Sequence, residues 1–485
     1  MLGQSTNGVR ETSSDKAIAL ILLLSLYAFA GACSAANPED NDRGEMSHKE
    51  AELEIKDLPV HGFYSIGSRW RFTGDEHDLD SYSYLGLDVG DPYSHWVTAH
   101  VLARSWTDVH RRRERRDYYY FQDIDDSYGR TAEIRHGDKT YEVRENTRLY
   151  YGYIDVHRLK NLERIRIGRQ FIYEAPEVVY FDGGSLRTGE FKTLKSLEFC
   201  VYGGVPVHHY ESSASGDSLL GMFVQAKPWP GGKAQLSFMQ IEDRTDSGEY
   251  EDDYLAASVW QNVGQRVNLY ARYVRLSDSD GDITARVTFA EPTCDLSVQA
   301  SYHQLFEDKS DLAIDLDPYC SSLRELHPFW HARLLVHKGL GEHLLAQAGF
   351  EFRRLKERVD ESAFNHEFRR YFATLSLADL PIEGLYFTLN GDCWDTRRPS
   401  GGDNWTVGGD IDYRIAKKLR ASLGTAYSLY EYDYYAEKER DHIRTYYAGV
   451  KFWPVDMLML GLNYDLEDDD LEMYHALKGE LRVTF

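Results

Sequence analysis

The chain has 485 residues, 28% of them charged, with a net charge of -24 and a mean hydropathy of -0.52. After residue 32, no segment contains the ~20 consecutive apolar residues that a membrane-spanning helix requires, which excludes a helical membrane protein. The 35 Tyr and only 13 Pro favour strands over helices. If the protein enters a membrane, it must therefore do so as a closed barrel.

The N-terminus has the features of a secretion signal. Residues 17–30 form a short apolar run after Lys16, and small residues follow up to Ala36. We predict a signal peptide over residues 1–36. Cys33 leaves a second interpretation open, cleavage at a lipoprotein site with lipidation of that thiol. Residues 37–60 are acidic and polar and are predicted to be a short periplasmic segment, too small for a plug domain.

From His61 to Phe485, apolar and polar residues alternate in segments of about 10 to 13 residues. The connections are alternately short, with Pro and Gly, and long and acidic, as periplasmic turns and extracellular loops are in bacterial barrels. The predicted long loops include Thr73–Asp80, Asp108–Thr147, Glu242–Asp253 and Ser277–Asp282.

The alternation of short and long connections holds throughout only if Val178–Arg187 is a strand despite its glycines, and the count is then about 22. We predict an all-β fold for residues 61–485. The predicted architecture is a transmembrane antiparallel up-and-down β-barrel of about 22 strands, with short periplasmic turns and long acidic extracellular loops. The predicted location is the outer membrane of a Gram-negative cell.

The two faces of the predicted strands differ in polarity. Leu458, Leu460 and Leu462 share one face of a strand, and such apolar faces are predicted to contact lipid. The opposite faces carry charges that would each cost several kcal/mol if buried unpaired in a protein core, whereas a wet lumen tolerates them. The predicted pore-lining residues are Arg164, Arg166, Arg266, Arg272, Arg286, Arg333, Arg370, Arg414, Asp155 and Glu351.

Arginine is the commonest charged residue on these predicted inward faces. In a narrow channel with walls of low dielectric constant, a positive field attracts anions. A second interpretation is that the arginines brace the wall by pairing with carboxylates on adjacent strands, for example Arg164 or Arg166 with Asp155. Both interpretations can hold together.

The predicted loop Asp108–Thr147 differs from the other loops because it opens with a basic run, residues 110–116, followed by aromatic residues. On the outer face this run could bind lipopolysaccharide phosphates, or it could fold inward as a cationic constriction. A solvated loop is the third interpretation. Nucleic acid is not a predicted partner on a cell surface.

Other chemistry has little support in the sequence. There is no CxxC or CxxCH motif, and Cys320 could pair with Cys393 in the outer loops. The alternating aspartates of Asp278–Asp282 could hold Ca²⁺, although a solvated acidic loop tip is the simpler interpretation. We predict no metal, no cofactor and no enzymatic activity, because no spacing of nucleophile, His and acid is singled out.

The chain ends in a strand whose alternate residues are apolar and which finishes on Phe485. Outer-membrane barrels end in this way. The predicted partners are therefore membrane lipid, lipopolysaccharide and the outer-membrane assembly machinery, which would recognise this last strand.

The segment Arg148–Gln170 contains the strand Tyr-Gly-Tyr-Ile-Asp, a short turn and the sequence Arg-Ile-Gly-Arg-Gln, and Phe181-Asp182-Gly183 follows. This hairpin and the C-terminal Phe strand resemble those of alginate-export-type porins. The resemblance covers only about forty residues plus the last strand, and those exporters have fewer strands than are counted here. It implies a monomeric channel with an Arg-rich pore for an anionic polysaccharide.

The same run, continued to Val207, also resembles barrels that sheathe multihaem cytochromes. The leading functional hypothesis is an outer-membrane porin that passes anionic or sugar-like solutes. The alternative is a barrel that surrounds a partner protein, such as a periplasmic partner or a multihaem cytochrome in an electron conduit.

Overall fold

A computed structural model describes residues 58–485 except 75, 109–133, 137–138, 142–144, 158, 160, 208–215, 246–247, 278, 308–326, 358–366, 397–403, 434–437 and 469–472. The chain divides into two units, residues 1–57 and 58–485. The predicted signal peptide, Cys33 and most of the segment 37–60 lie outside the described residues and stay predictions.

The described residues form strands almost throughout. The first twelve strands are β1 (Val60–Thr73), β2 (Glu76–Val89), β3 (Val97–Asp108), β4 (Ile134–His136), β5 (Lys139–Tyr141), β6 (Glu145–His157), β7 (Leu162–Phe171), β8 (Tyr180–Thr188), β9 (Glu198–Pro206), β10 (Ser218–Ala226), β11 (Gly232–Thr245) and β12 (Gly248–Val263). The remaining strands are β13 (Val267–Leu276), β14 (Ser279–Glu291), β15 (Leu296–Leu305), β16 (Phe329–Gly339), β17 (Leu344–Leu355), β18 (Phe368–Ala378), β19 (Leu385–Thr396), β20 (Asn404–Ile415), β21 (Leu419–Asp433), β22 (Lys438–Val455), β23 (Leu458–Asp468) and β24 (Met473–Thr484).

Two 3₁₀ turns, Lys192–Leu194 and Pro292–Cys294, interrupt the connections. Within the described residues, no helix is long and apolar enough to cross a membrane.

The sheet is a closed barrel of 22 strands, and β4 and β5 pair separately with each other. Each barrel strand is antiparallel to the next, and β24 pairs with β1 to close the ring. At this seam the backbone N–H of Gly62 donates to the carbonyl of Phe485 at 2.8 Å, and that of Phe485 donates to Gly62 at 3.0 Å. The predicted barrel and its strand count are confirmed, and β8 confirms the glycine-containing strand.

Strand pairing shows that one face of the sheet, the apolar face, carries large exposed apolar side chains around the ring. Its middle band includes Ile154, Ile167, Leu220, Leu236, Val287, Leu334, Leu389, Leu423 and Leu462. Toward the end of the barrel with the longer connections, exposed aromatic side chains follow on the same face, namely Trp70, Tyr273, Tyr302, Tyr371, Trp405 and Tyr446. An apolar band with an aromatic girdle is the surface that a barrel presents to lipid.

Several predicted acidic loops are shorter in the structure because the strands continue into them. β1 ends at Thr73 and β2 begins at Glu76, β11 and β12 extend to Thr245 and from Gly248, and β13 and β14 are separated by residues 277–278 only. The acidity of these segments predicts loops. Beyond the lipid, however, both faces of a strand contact water, so polar residues can extend the hydrogen-bonded ladder.

Candidate functional site

The face opposite to the apolar face, the polar face, carries nine of the ten predicted pore-lining residues. Strand pairing places Arg286, Ser301, Arg333, Glu351, Arg370 and Trp394 in one continuous cross-strand row from β14 to β19. Asp155 lies opposite Arg166 on β6 and β7, and Arg414 lies opposite Arg420. Arg266 is the exception, because it lies in the turn before β13 and contacts Glu291 at 2.5 Å.

Asp155 is the centre of a paired group at the β6–β7 hairpin. The guanidinium of Arg166 donates to both Asp155 oxygens, at 2.7 and 2.8 Å, and lies 3.5 Å from the ring centroid of Tyr153. Arg164 is farther away, at 4.0 Å. Asp155 is buried, with only 2% of its surface exposed, so this bidentate pair holds the two strands together. The predicted bracing by Arg166 is confirmed.

Three residues of the hairpin that resembles alginate-export-type porins have identifiable structural roles. Arg169, on the apolar face near the rim, donates to both oxygens of Asp182 at 2.8 Å. Gly168 has a φ of +125°, and a Cβ there would overlap the Gly152 carbonyl, so only glycine fits. The fully buried Gln170 accepts from Ser185 at 2.8 Å.

A second paired group lies on β16 to β19. Glu351 contacts His331 at 2.8 Å and Arg370 at 3.7 Å, and Arg370 also contacts Asp392 at 2.5 Å. The guanidinium of Arg370 lies 4.8 Å from the ring centroids of both Phe372 and Trp394. Most of the positive charge of Arg370 is therefore balanced by carboxylates.

Arg286, Arg333 and Arg414 differ from these groups. None of the three forms an ion pair within the described part of the chain. Arg333 lies 5.4 Å from the ring centroid of Phe372, and its Nε is buried with no hydrogen-bond partner among the described residues. Among the described residues these three cations, and Arg272 with its backbone-carbonyl partners, have no carboxylate within ion-pair distance.

Residues 172–179, between β7 and β8, lie against the polar face; we call them the inserted segment. Ile172, Ala175, Pro176 and Val179 are almost fully buried. Ile172, Ala175 and Val179 pack in one cluster with apolar side chains of the polar face of β8 to β13, namely Phe181, Cys200, Tyr202, Leu219, Phe223, Met239, Ile241, Tyr254, Ala256, Val274 and Leu276. The inserted segment therefore covers an apolar patch on the polar face.

Polar contacts anchor the inserted segment to three different strands. Arg187 on β8 donates to the Glu174 carboxylate at 2.9 Å, and Gln235 on β11 donates to the Glu174 carbonyl at 2.8 Å. On β13, Arg272 donates to the carbonyls of Ala175 and Pro176. The charge of the predicted pore residue Arg272 thus serves to hold the segment.

Sequence reasoning missed this segment. Val178 and Val179 were predicted to begin a strand, but β8 begins at Tyr180. The available signal was an apolar run with Ala175-Pro176 in a connection at the end of the barrel where the other connections are acidic. The cause of the error is that a buried apolar segment and a short strand have the same composition.

Some predicted sites lie wholly or partly outside the described residues. These are the basic run 110–116, Cys320 of the predicted disulfide, and Asp278 of the candidate Ca²⁺ loop. In the part of the chain that the structure describes, no cluster of three or more His, Cys, Asp or Glu is arranged to hold a metal ion. The absence of enzymatic activity stays a prediction.

No protein-family model matches the sequence, and no curated protein is significantly similar to it. The siderophore receptor PirA from Acinetobacter baumannii has a similar fold, with a TM-score of 0.52 at 9% identity over 88% of this chain and 80% of that chain. PirA from Pseudomonas aeruginosa has a TM-score of 0.52 at 10% identity, with the same coverage. Pseudomonas aeruginosa OccK2 (OpdF), solved in complex with glucuronate, has a TM-score of 0.41 at 11% identity over 89% and 97%. At these identities the similarity concerns the fold alone.

A closed antiparallel barrel of 22 strands with a continuous apolar band is the architecture of an integral outer-membrane protein. The fold class and the location predicted from the sequence are confirmed.

Proposed function

We propose that the protein is an outer-membrane channel that passes anionic or sugar-like solutes through the lumen of the barrel. In a membrane barrel the apolar face contacts lipid, so we assign the polar face, with the predicted pore-lining residues, to the lumen. The observation that carries the anion preference is that Arg286, Arg333 and Arg414 on that face have no ion-pair partner among the described residues. Their field favours anions in a confined, water-filled channel.

The inserted segment supports a channel of restricted width. Barrels of 22 strands enclose a lumen wide enough to need a plug in known transporters. A segment that crosses from β7 to β13 on the lumen side would narrow this space. The row on β14 to β19 lies on the remaining wall, whose outer end carries a second buried apolar cluster, Leu305, Phe329 and Leu355. Solutes would then pass along the row that contains Arg286 and Arg333.

The test is ion selectivity of the refolded wild-type protein in planar bilayers. A reversal potential in a KCl gradient that indicates preference for chloride over potassium is the expected result. Uptake of glucuronate into proteoliposomes, compared with glucose, would then measure the preference for acid sugars. A cation-selective or non-conducting barrel would contradict the proposal.

An anionic polysaccharide, as the alginate-export-type resemblance implies, is the narrower form of this proposal. Passage of an oligouronate, but not of a neutral oligosaccharide of the same length, would support it. The expected partners in the membrane are lipid, lipopolysaccharide and the assembly machinery that engages the Phe485 strand.

The width of a barrel with 22 strands also supports the alternative, a sheath for a partner such as a multihaem cytochrome. Purification from native membranes separates the two functions. A haem-bearing protein that co-purifies in fixed ratio, together with a closed channel, would favour the sheath.

A further inference from the structure

The row of residues across β14, β15 and β16 places two cations on either side of a hydroxyl. Arg286 is opposite Ser301 on β15, and Ser301 is opposite Arg333 on β16. Neighbouring strands lie ~4.8 Å apart, so the two arginine Cα atoms are separated by about 10 Å. Arginine side chains are long enough to reach a group that lies above Ser301 from both sides.

The surroundings leave these two cations available to a ligand. The cross-strand neighbours of Arg286 are Tyr270 and Ser301, neither of which is acidic. Arg333 lies opposite Glu351 and interacts with it electrostatically, but the two side chains are not within ion-pair distance, and His331 and Arg370 contact that carboxylate. Neither Arg286 nor Arg333 forms an ion pair with a described residue.

The side chain of Arg333 also suits recognition of an oxyanion. Its guanidinium lies 5.4 Å from the centroid of the Phe372 ring, and its two terminal N–H groups, which no described residue engages, can donate in a fork. Planar carboxylates and phosphates match that fork, and the Ser301 hydroxyl can donate a further hydrogen bond.

We propose that Arg286, Ser301 and Arg333 form an oxyanion-binding subsite in the lumen, which binds the carboxylate or phosphate group of a passing solute. This inference rests on the proposed channel function and goes further, because it assigns selectivity to these two arginines and not to the paired Arg166 or Arg370. The carboxylate and the phosphate share one chemistry and are separated by experiment.

The test uses the full-length barrel in planar bilayers with Arg286→Gln, Arg333→Gln and the double variant. Loss of one charge at several ångströms in water-filled surroundings should lower the anion-to-cation permeability ratio about threefold, and loss of both about tenfold. The matched control is Arg420→Gln with Asp412→Asn, which removes a guanidinium of the polar face whose carboxylate partner is 2.7 Å away. This control should leave the ratio unchanged.

Glucuronate and inorganic phosphate, added as blockers of chloride current, identify the ligand group, and glucose is the neutral comparison. Block by either anion that weakens in Ser301→Ala supports the subsite, and the stronger blocker identifies the group. The variant Arg286→Lys/Arg333→Lys keeps the charge and loses the fork, so it should keep chloride preference and lose block. Heat-modifiable migration on gels verifies that each variant has folded.

Two outcomes separate the proposals. If the wild type prefers anions and the double glutamine variant keeps that preference or its block by both anions, the subsite is refuted and the channel function stands. If the wild type shows no anion preference, the proposed function fails, and the subsite fails with it.

Discussion

Replacement of Arg187 by Gln should loosen the inserted segment. Arg187 is 18% exposed and contacts the carboxylates of Glu174, Glu198 and Glu163 at 2.9, 3.0 and 3.1 Å. Its removal leaves Glu174 beside the largely buried Glu198 with no cation between them. Breaking a buried ion pair costs about 3–5 kcal/mol. Because this group is partly exposed, we expect a cost of about 2 kcal/mol. That free energy raises the population of the displaced segment about 30-fold.

Cys200 is a natural probe of this displacement, because the residue is only 2% exposed and lies in the cluster that the inserted segment covers. Modification of Cys200 by a water-soluble maleimide, followed by peptide mass spectrometry, should be about 30-fold faster in Arg187→Gln than in wild type. The matched control is Glu163→Gln, which removes the partner that is 54% exposed and should change the rate little. Equal rates in wild type and Arg187→Gln, or an equal acceleration in the control, would refute this account of how the segment is held.

Three further predictions concern the wall. Leu462→Arg, in the middle of the apolar face, should cost ~2–4 kcal/mol in urea unfolding, and Leu460→Arg, nearer the strand end, should cost less; equal costs would contradict the depth assignment. Gly62→Val should impair assembly, because a Cβ there would overlap the Gly86 carbonyl and press on the Phe485 ring; unchanged amounts in the outer membrane would argue against this close packing. Gly349→Val should destabilise the barrel by overlap with the opposing Phe372 ring, and an unchanged unfolding midpoint would contradict it.

The strands were predictable because a membrane barrel forces a period of two on the sequence. In β23, Leu460, Leu462 and Tyr464 alternate with Gly461, Asn463 and Asp465, a period of two that differs from the period of a helix. The strand count followed from the alternation of short and long connections. The count of 22 required β8 to be a strand, although its glycines have a low propensity for strands. The clear strands on either side of β8 supported this prediction.

Local sequence did not predict which charged residues of the polar face form ion pairs. Whether an arginine on the polar face is free depends on the residue across the strand pair, and that residue is set by register. Arg166 proved to be bidentate with Asp155, whereas Arg286 faces Ser301. Arginines that look equivalent in sequence therefore differ in their capacity to attract a solute.

The inserted segment was beyond sequence reasoning for a related reason. Its contact from Arg272 to Pro176 joins residues 96 positions apart, so no local pattern encodes it. The apolar patch that contains Phe223 and Met239 looks in sequence like the apolar face of neighbouring strands. The strand pairing places these side chains on the polar face, where the inserted segment covers them.

The unequal strand lengths also affect what the cell presents to its surroundings. β22 has 18 residues, which at ~3.3 Å per residue and a tilt of ~40° rise about 45 Å, against an apolar band of about 25 Å. Together with β21 and β12 it would extend the hydrogen-bonded sheet beyond the headgroups. A peptide inserted between β21 and β22 would therefore be displayed clear of the lipid.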